Sequence, residues 1–332
     1  MVTKEAETSV IREEINPFSL IDPNSTPDQQ IKRVLAAVGH RLGETPYGKR
    51  EFELESPIGE ALRCQLISWM LSQGNGGYEL FRGSGNLCQI SDEAASHAAL
   101  ERMYVGPNTS LDRKVSHFDW SRLFIENIHN AMAVRNRLRI VESTFTDYMS
   151  DALAKNEGDL NVLSVAAGSS RGIMESLKVL NGEGSARIKL RMVDSSRDAL
   201  RDGSRLVKEL GIEESVDFIR AHFLSFKRYL EEGYRPDFVE VVGLMDYLFD
   251  PQIIVLVSEL REHMADGGML LYSNIQQNDE RDFTHKIVGW PQMEYRTGYK
   301  LYDLALISGF VEGNIDIVKE PLGIYNLIKA TK

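Results

Sequence analysis

The chain has 332 residues, 42% of them hydrophobic, and a formal net charge of -11, which suits one large or two modest packed domains. That charge excludes broad electrostatic attraction to nucleic acid, and no run approaches the roughly 18 apolar residues of a membrane span. The opening Met1-Val-Thr-Lys-Glu-Ala-Glu-Thr8 lacks a signal peptide's apolar core, so a cytoplasmic location is expected. Cys64 and Cys88 have no metal-ligand spacing and need not pair in a reducing compartment.

The chain divides near residue 150. Residues 1–25 are polar and acidic and read as an arm or strap. Ile31, Val34, Leu35 and Val38 recur at helical spacing over 28–39, and a second amphipathic helix is expected over 58–71. Gln73-Gly-Asn-Gly-Gly77 and Arg82-Gly-Ser-Gly-Asn86 read as loops, followed by a helix over 92–103. Gly106-Pro-Asn-Thr-Ser110 is another loop, leading into 118–132 and a long helix to about Ala154. Residues 1–150 are therefore expected to be a mainly helical cap, and 151–332 an α/β domain.

Within the second part, Asn161-Val-Leu-Ser-Val-Ala-Ala-Gly-Ser-Ser-Arg-Gly172 is an apolar run that stops at a small-residue turn and enters a helical pattern over 173–180. Ala166, Ala167 and Gly168 lack side chains that would block close approach of a nucleotide-like ligand. A second apolar strand, Ile188-Lys-Leu-Arg-Met-Val193, ends in Asp194, placed where a carboxylate can accept both hydroxyls of a ribose. Further strands are expected at Val216-Asp-Phe-Ile-Arg220, Pro236 to Leu244 and Met269-Leu-Leu-Tyr-Ser273. A helix over 299–308 and two closing strands, 311–318 and 322–329, complete the pattern.

From about residue 135 onward this order resembles the class I S-adenosylmethionine-dependent methyltransferases. The resemblance implies an α/β fold: a Rossmann-like sheet with an antiparallel C-terminal hairpin, preceded by a helical N-terminal domain. It implies S-adenosylmethionine as cofactor, a small-molecule partner and no metal, and it keeps a homodimer open. Val241-Val-Gly-Leu-Met-Asp-Tyr-Leu-Phe249, Leu271-Tyr-Ser-Asn-Ile-Gln276 and the Arg-Asn-Arg helix over 131–141 are similar to a bacterial group assigned as methyltransferases, some associated with methyl esters of hydroxy fatty acids.

On that resemblance the cofactor lies against Ala166, Ala167, Gly168, Ser170 and Arg171, with Asp194 and Ser195 at the ribose, His222 and Phe223 near the adenine, and Gly243 and Leu244 near the methyl group. The turn departs from the family pattern: Ser164 stands where many members carry an acid, and Arg171 or an N-terminal residue is the expected substitute. Arg135 and Asn136 are candidates for the cofactor's carboxylate. His222 stands where relatives carry an acid.

An activated methyl donor leaves the protein chiefly to align the reactants and exclude water. A carboxylate acceptor needs no base, whereas a hydroxyl or amine does; Asp246 and His285 are the candidate bases, the alternatives being a helix cap and a surface residue. Tyr247, Tyr272, Trp290 and Tyr295 are candidates to face a sulfonium or to pack the core. Asn274, Gln276, Tyr295 and Arg296 are candidates for the acceptor, Arg296 alternatively pairing with Glu294. The expected activity is methyl transfer to a small molecule at oxygen. The alternatives are attack on the cofactor's aminocarboxypropyl chain, as in azetidine-2-carboxylate synthases, and a non-catalytic cofactor-binding protein.

Overall fold

The computed structural model describes Gln29 and residues 47–49, 51–54, 57–107, 121–122, 124–155, 158–182, 187–230 and 233–332. The arm over 1–25 and the helix expected over 28–39 lie outside the described residues, apart from Gln29.

The first described helix, α1, spans Pro57–Ser72, as its apolar spacing implies. The two glycine-bearing segments read as loops are helix starts instead: α2 spans Asn75–Arg82 and α3 spans Gly85–Asp92. Gly74 turns the chain at φ 55° ahead of α2, and the Ser84 hydroxyl accepts the Leu87 amide ahead of α3. Gly77 is buried where a Cβ would collide with the Met70 carbonyl, so its glycine serves close helix packing. The helix expected over 92–103 starts later: Asp92 is the last residue of α3, Ala95 turns the chain at φ 62°, and α4 spans His97–Val105 with Ser96 as its cap.

The long helix α5, His129–Lys155, passes through residue 150 without a break, so the expected division falls inside it. Its Ile140, Val141, Phe145 and Met149 pack on the sheet, while Ala131 packs among the N-terminal helices. One helix thereby joins both parts through continuous apolar contact.

The strands are β1 (Leu160–Val165), β2 (Ile188–Asp194), β3 (Val216–Arg220), β4 (Phe238–Val241), β5 (Met269–Ile275), β6 (Ile315–Lys319) and β7 (Tyr325–Thr331). They form one seven-stranded sheet in the order β3-β2-β1-β4-β5-β7-β6. The first five run parallel, and β7 is antiparallel to both its neighbours. The short link around Pro321 and Gly323, the latter at φ 72°, allows only an antiparallel return, because a parallel one needs a long crossover.

Helices cover both faces, which is why β1 and β4 read as apolar runs without alternation. α6 (Arg171–Gly182) and α7 (Arg197–Leu210) join α5 on one face; α8 (Asp250–His263) and α10 (Gly298–Ile307) cover the other, and α9 (Arg281–Lys286) packs with the N-terminal helices. The reversal of strand order between β1 and β4 opens a crevice at their carboxyl ends, the place where open α/β sheets bind ligands.

Candidate functional site

The crevice is built around the turn between β1 and α6. Ala166, Gly168 and Ser170 have φ of 52°, 54° and 44°, so the chain enters the left-handed region at every second residue. For alanine and serine that conformation costs on the order of 1–2 kcal/mol each. Three hydrogen bonds hold it: the Ala167 amide donates to Val193 O at 3.2 Å, the Ser170 amide to Ala167 O at 2.8 Å, and the Gly168 amide to Asp194 Oδ2 at 2.9 Å. Asp194 Oδ1 accepts the Ser196 amide at 2.7 Å. Each carboxylate oxygen keeps a further lone pair for a hydroxyl donor.

Beside this turn lies a cleft of about 370 Å³. That volume falls within the roughly 300–1,000 Å³ usual for small-molecule sites. Ala166, Ala167, Gly168, Ser170, Arg171, Asp194, Ser195, Gly243 and Leu244 all line it, as does Tyr247. Helix α4 forms the facing wall through His97, Leu100 and Tyr104. It is fastened to the turn by Glu101, which accepts from the Ser169 hydroxyl and from Arg171 Nε and Nη2 at 2.9 and 2.6 Å. A His97–Asp202 pair at 3.0 Å ties its start to α7.

Glu240 also lines the cleft. It sits on β4 opposite Ser164 of β1, is buried, and accepts hydrogen bonds on Oε2 from the Ser164 and Ser170 hydroxyls. Burial raises its pKa to about 6, against the opposing pull of the two hydroxyls and Arg137.

A second, much smaller chamber of about 70 Å³, almost entirely apolar, lies next to the cleft. Phe81, Phe124, Ile128, Val134, Phe283, Trp290, Met293 and Tyr325 line it, and Leu100 belongs to both walls. Arg137 stands between the two. A Cβ on Gly243, a cleft residue, would lie 3.8 Å from Arg137 Nη2, and the guanidinium is 4.4 Å from the ring centroid of Tyr325, a chamber residue. Arg137 is only 1% exposed, its Nη1 is 3.8 Å from Asp246 Oδ2, and its Nε has no hydrogen-bond partner. Burial opposes its charge, but Tyr325, Tyr104 and Asp246 together hold its pKa above the ordinary value.

Other expected site residues are engaged elsewhere. Arg135 is buried against Glu53, at 2.6 Å, and the carbonyl oxygens of Met103 and Ile125; Asn136 bonds the Glu53 backbone and Glu320. Neither reaches the cleft, because successive helix residues differ by about 100° in direction and the inward one is Arg137. His222 is exposed and its Nδ1 accepts the Leu224 amide, with Phe223 beside it at 4.3 Å between ring centroids; neither lines the cleft.

Asp246 is buried beside the partition, its Oδ1 accepting the Ile275 amide at 2.7 Å, and it does not cap α8, whose N-cap is Phe249. Burial raises its pKa. His285 donates from Nδ1 to the Trp290 carbonyl at 2.9 Å, which leaves Nε2 to accept the Tyr295 hydroxyl at 3.0 Å. Both ring nitrogens are thus occupied away from the cleft. Arg296 pairs with Asp250 at 2.8 Å, not Glu294, and also donates to Met245 O, Leu248 O and Asn274 Oδ1. Asn274 and Gln276 are likewise spent on Glu294 O, Ile275 O, Gly323 O and Asn326. Tyr272 is a core residue whose hydroxyl donates to Leu301 O at 2.8 Å. Trp290 faces the chamber and donates from Nε1 to the Tyr247 hydroxyl at 2.8 Å.

Glu240, Arg137, Glu101 and Tyr104 escaped the sequence reading. A lone acid inside the apolar run Phe238-Val-Glu-Val-Val242 was the available signal for the first. The others needed the docking of α4 and α5. Among the described residues no group of acids, histidines and cysteines is arranged to hold a metal ion, and no helix is long and apolar enough to cross a membrane.

Residues 119–280 match the model of a family described as Putative methyltransferase. No curated protein sequence matches. Among solved structures, a possible exported protein from Bordetella parapertussis is 15% identical, with 92% of this chain and 99% of that one covered and a TM-score of 0.59, which shows a shared fold. The S-adenosylmethionine-dependent methyltransferase SibL in its apo form aligns over 92% of this chain and 85% of its own at 15% identity and a TM-score of 0.48. Magnesium protoporphyrin IX methyltransferase from Synechocystis PCC 6803, with bound S-adenosylmethionine, aligns over 74% and 97% at 11% identity and a TM-score of 0.47. Over 119–280, just under half of the chain, the protein thus matches a methyltransferase family, and its sheet order and closing antiparallel hairpin are those that the resemblance to the class I S-adenosylmethionine-dependent methyltransferases implies.

Proposed function

We propose that the chain methylates an oxygen of a hydrophobic small molecule, and that this oxygen belongs to a carboxylate. The carrying observation is Arg137: a fully buried guanidinium, incompletely hydrogen-bonded, in the partition between the cofactor cleft and an apolar chamber. A short apolar acid entering the chamber, which has room for only a few atoms, would bring its carboxylate to that partition. A buried guanidinium with a free donor gains most from a charge-assisted partner.

The residues of the cleft fit the cofactor. The turn at 166–170 presents backbone without bulky side chains, and Asp194 offers lone pairs toward ribose hydroxyls. Bound S-adenosylmethionine supplies a methyl group already activated by its sulfonium. Arg137 would orient the acceptor oxygen, while Leu100 and Tyr104 of α4, held down through Glu101, keep water from the cleft. Burial raises the Tyr247 pKa, so its phenol remains a hydrogen-bond donor at the cleft wall. A carboxylate nucleophile requires no base, in keeping with Asp246 and His285 being held in internal hydrogen bonds.

The test is mass spectrometry of the protein with S-adenosylmethionine and matched panels of apolar acids, alcohols and amines. S-adenosylhomocysteine formed only with acids, together with a base-labile methyl ester, is the expected result. Methylthioadenosine from the cofactor alone would overturn the reading. Arg137→Met should raise KM for the acid at least tenfold with cofactor Kd unchanged; a weakened cofactor Kd and unchanged acid KM would assign Arg137 to the cofactor's own carboxylate instead.

A further inference from the structure

We infer that Glu240, on β4, binds the α-ammonium of S-adenosylmethionine, supplying from the neighbouring strand the carboxylate that Ser164 lacks on β1. The parallel pairing sets Ser164 directly opposite Glu240, so a carboxylate moved from one strand to the next still reaches the same end of the crevice. The Ser164 and Ser170 hydroxyls both donate to Oε2, which fixes the side chain beneath the turn. Oε1 receives no hydrogen bond from any described residue, and Glu240 lines the cleft. A carboxylate oxygen in so buried a place is stabilised by a donor, and an ammonium offers three N–H groups where a sulfonium offers none.

The position along the sheet selects the same end of the cofactor. In the order β2-β1-β4, Asp194 lies at the end of β2, the turn follows β1, and Glu240 lies on β4. A ligand with its ribose at Asp194 that crosses the turn brings its amino-acid end to β4. The charged and titratable groups facing Glu240 are Arg137 from α5 and Tyr104 from α4. This inference rests on the cofactor and is independent of which acceptor is methylated.

The experiment is calorimetric titration of wild type and Glu240→Gln at pH 8 with three ligands: S-adenosylmethionine, S-adenosylhomocysteine and methylthioadenosine. The first carries ammonium and sulfonium, the second only the ammonium, the third neither. Glu240→Gln should weaken the first two about tenfold or more, as expected for losing a hydrogen bond to a charged group, and leave methylthioadenosine unchanged. Unchanged methylthioadenosine binding also shows that the variant is folded. Weakening of S-adenosylmethionine alone would make Glu240 a partner of the sulfonium and overturn the assignment. Equal weakening of all three, or of none, would overturn it as well.

Discussion

The Asp194 carboxylate accepts the Gly168 amide at 2.9 Å, so one side chain both ends β2 and braces the strained turn after β1. Asp194→Ala should therefore raise the Kd for S-adenosylmethionine at least tenfold, through loss of the ribose acceptor and loosening of the turn. Asp194→Asn, which keeps one acceptor oxygen, should fall between. Unchanged affinity in Asp194→Ala, read by calorimetry, would remove this residue from the ribose site.

Gly168 is the turn position least tolerant of a side chain. Its φ is 54°, and a Cβ there would lie 3.3 Å from the Cβ of His97 on the facing helix. Gly168→Ala should lower stability by about 1–2 kcal/mol and push α4 away from the turn. The rise in Tm that S-adenosylmethionine gives the wild type should shrink in the variant, because ligand stabilisation follows affinity. An equal rise in both proteins would count against close approach of the ligand at this residue.

Arg296 organises structure rather than binding an acceptor. It joins Asp250, two carbonyl oxygens and Asn274 beneath the end of β5. Arg296→Met should cost about 1–3 kcal/mol in urea unfolding, since the Met245 and Leu248 carbonyl oxygens and Asn274 lose a buried donor while Asp250, more than a third exposed, keeps Lys300. Intact stability with a raised acceptor KM would return Arg296 to the acceptor site.

Glu280 makes stability depend on pH. It is buried, accepts the His129 and Asn130 amides at the start of α5, and lies 3.2 Å from Arg63. Burial outweighs those partners and raises its pKa to about 7, from an ordinary value of 4.5. Between those values the folded protein holds the proton more often than the unfolded chain. Stability should then fall as pH rises from about 4.5 to 7, by about 3 kcal/mol from this group, and level off above. Urea unfolding over that range should show this slope in the wild type and its loss in Glu280→Gln.

The sheet was legible in the sequence because strands covered by helices carry apolar residues on their buried faces. β1, β4 and β5 are almost fully buried, β2 and β3 keep apolar residues at their buried positions, and the closing hairpin follows from a link too short for a crossover. The turn at 166–170 and Asp194 were legible for a local reason: both lie within a few residues of a strand end, so their position follows from the strand. Gly74, Gly77 and Gly85 misled, because glycine marks a helix start or a close helix contact as readily as a loop.

The partners of each side chain were decided only by tertiary structure. Arg135, Asn136 and Arg137 are consecutive, yet the first two meet Glu53 while the third enters the partition between cleft and chamber. That choice depends on the rotation of α5 against the sheet. Glu240 and Ser164 are 76 residues apart and become neighbours only through strand register. Composition and periodicity determine which surfaces must be buried and hence the fold; the direction of a buried charge is set by packing between elements, whose relative placement no local pattern encodes.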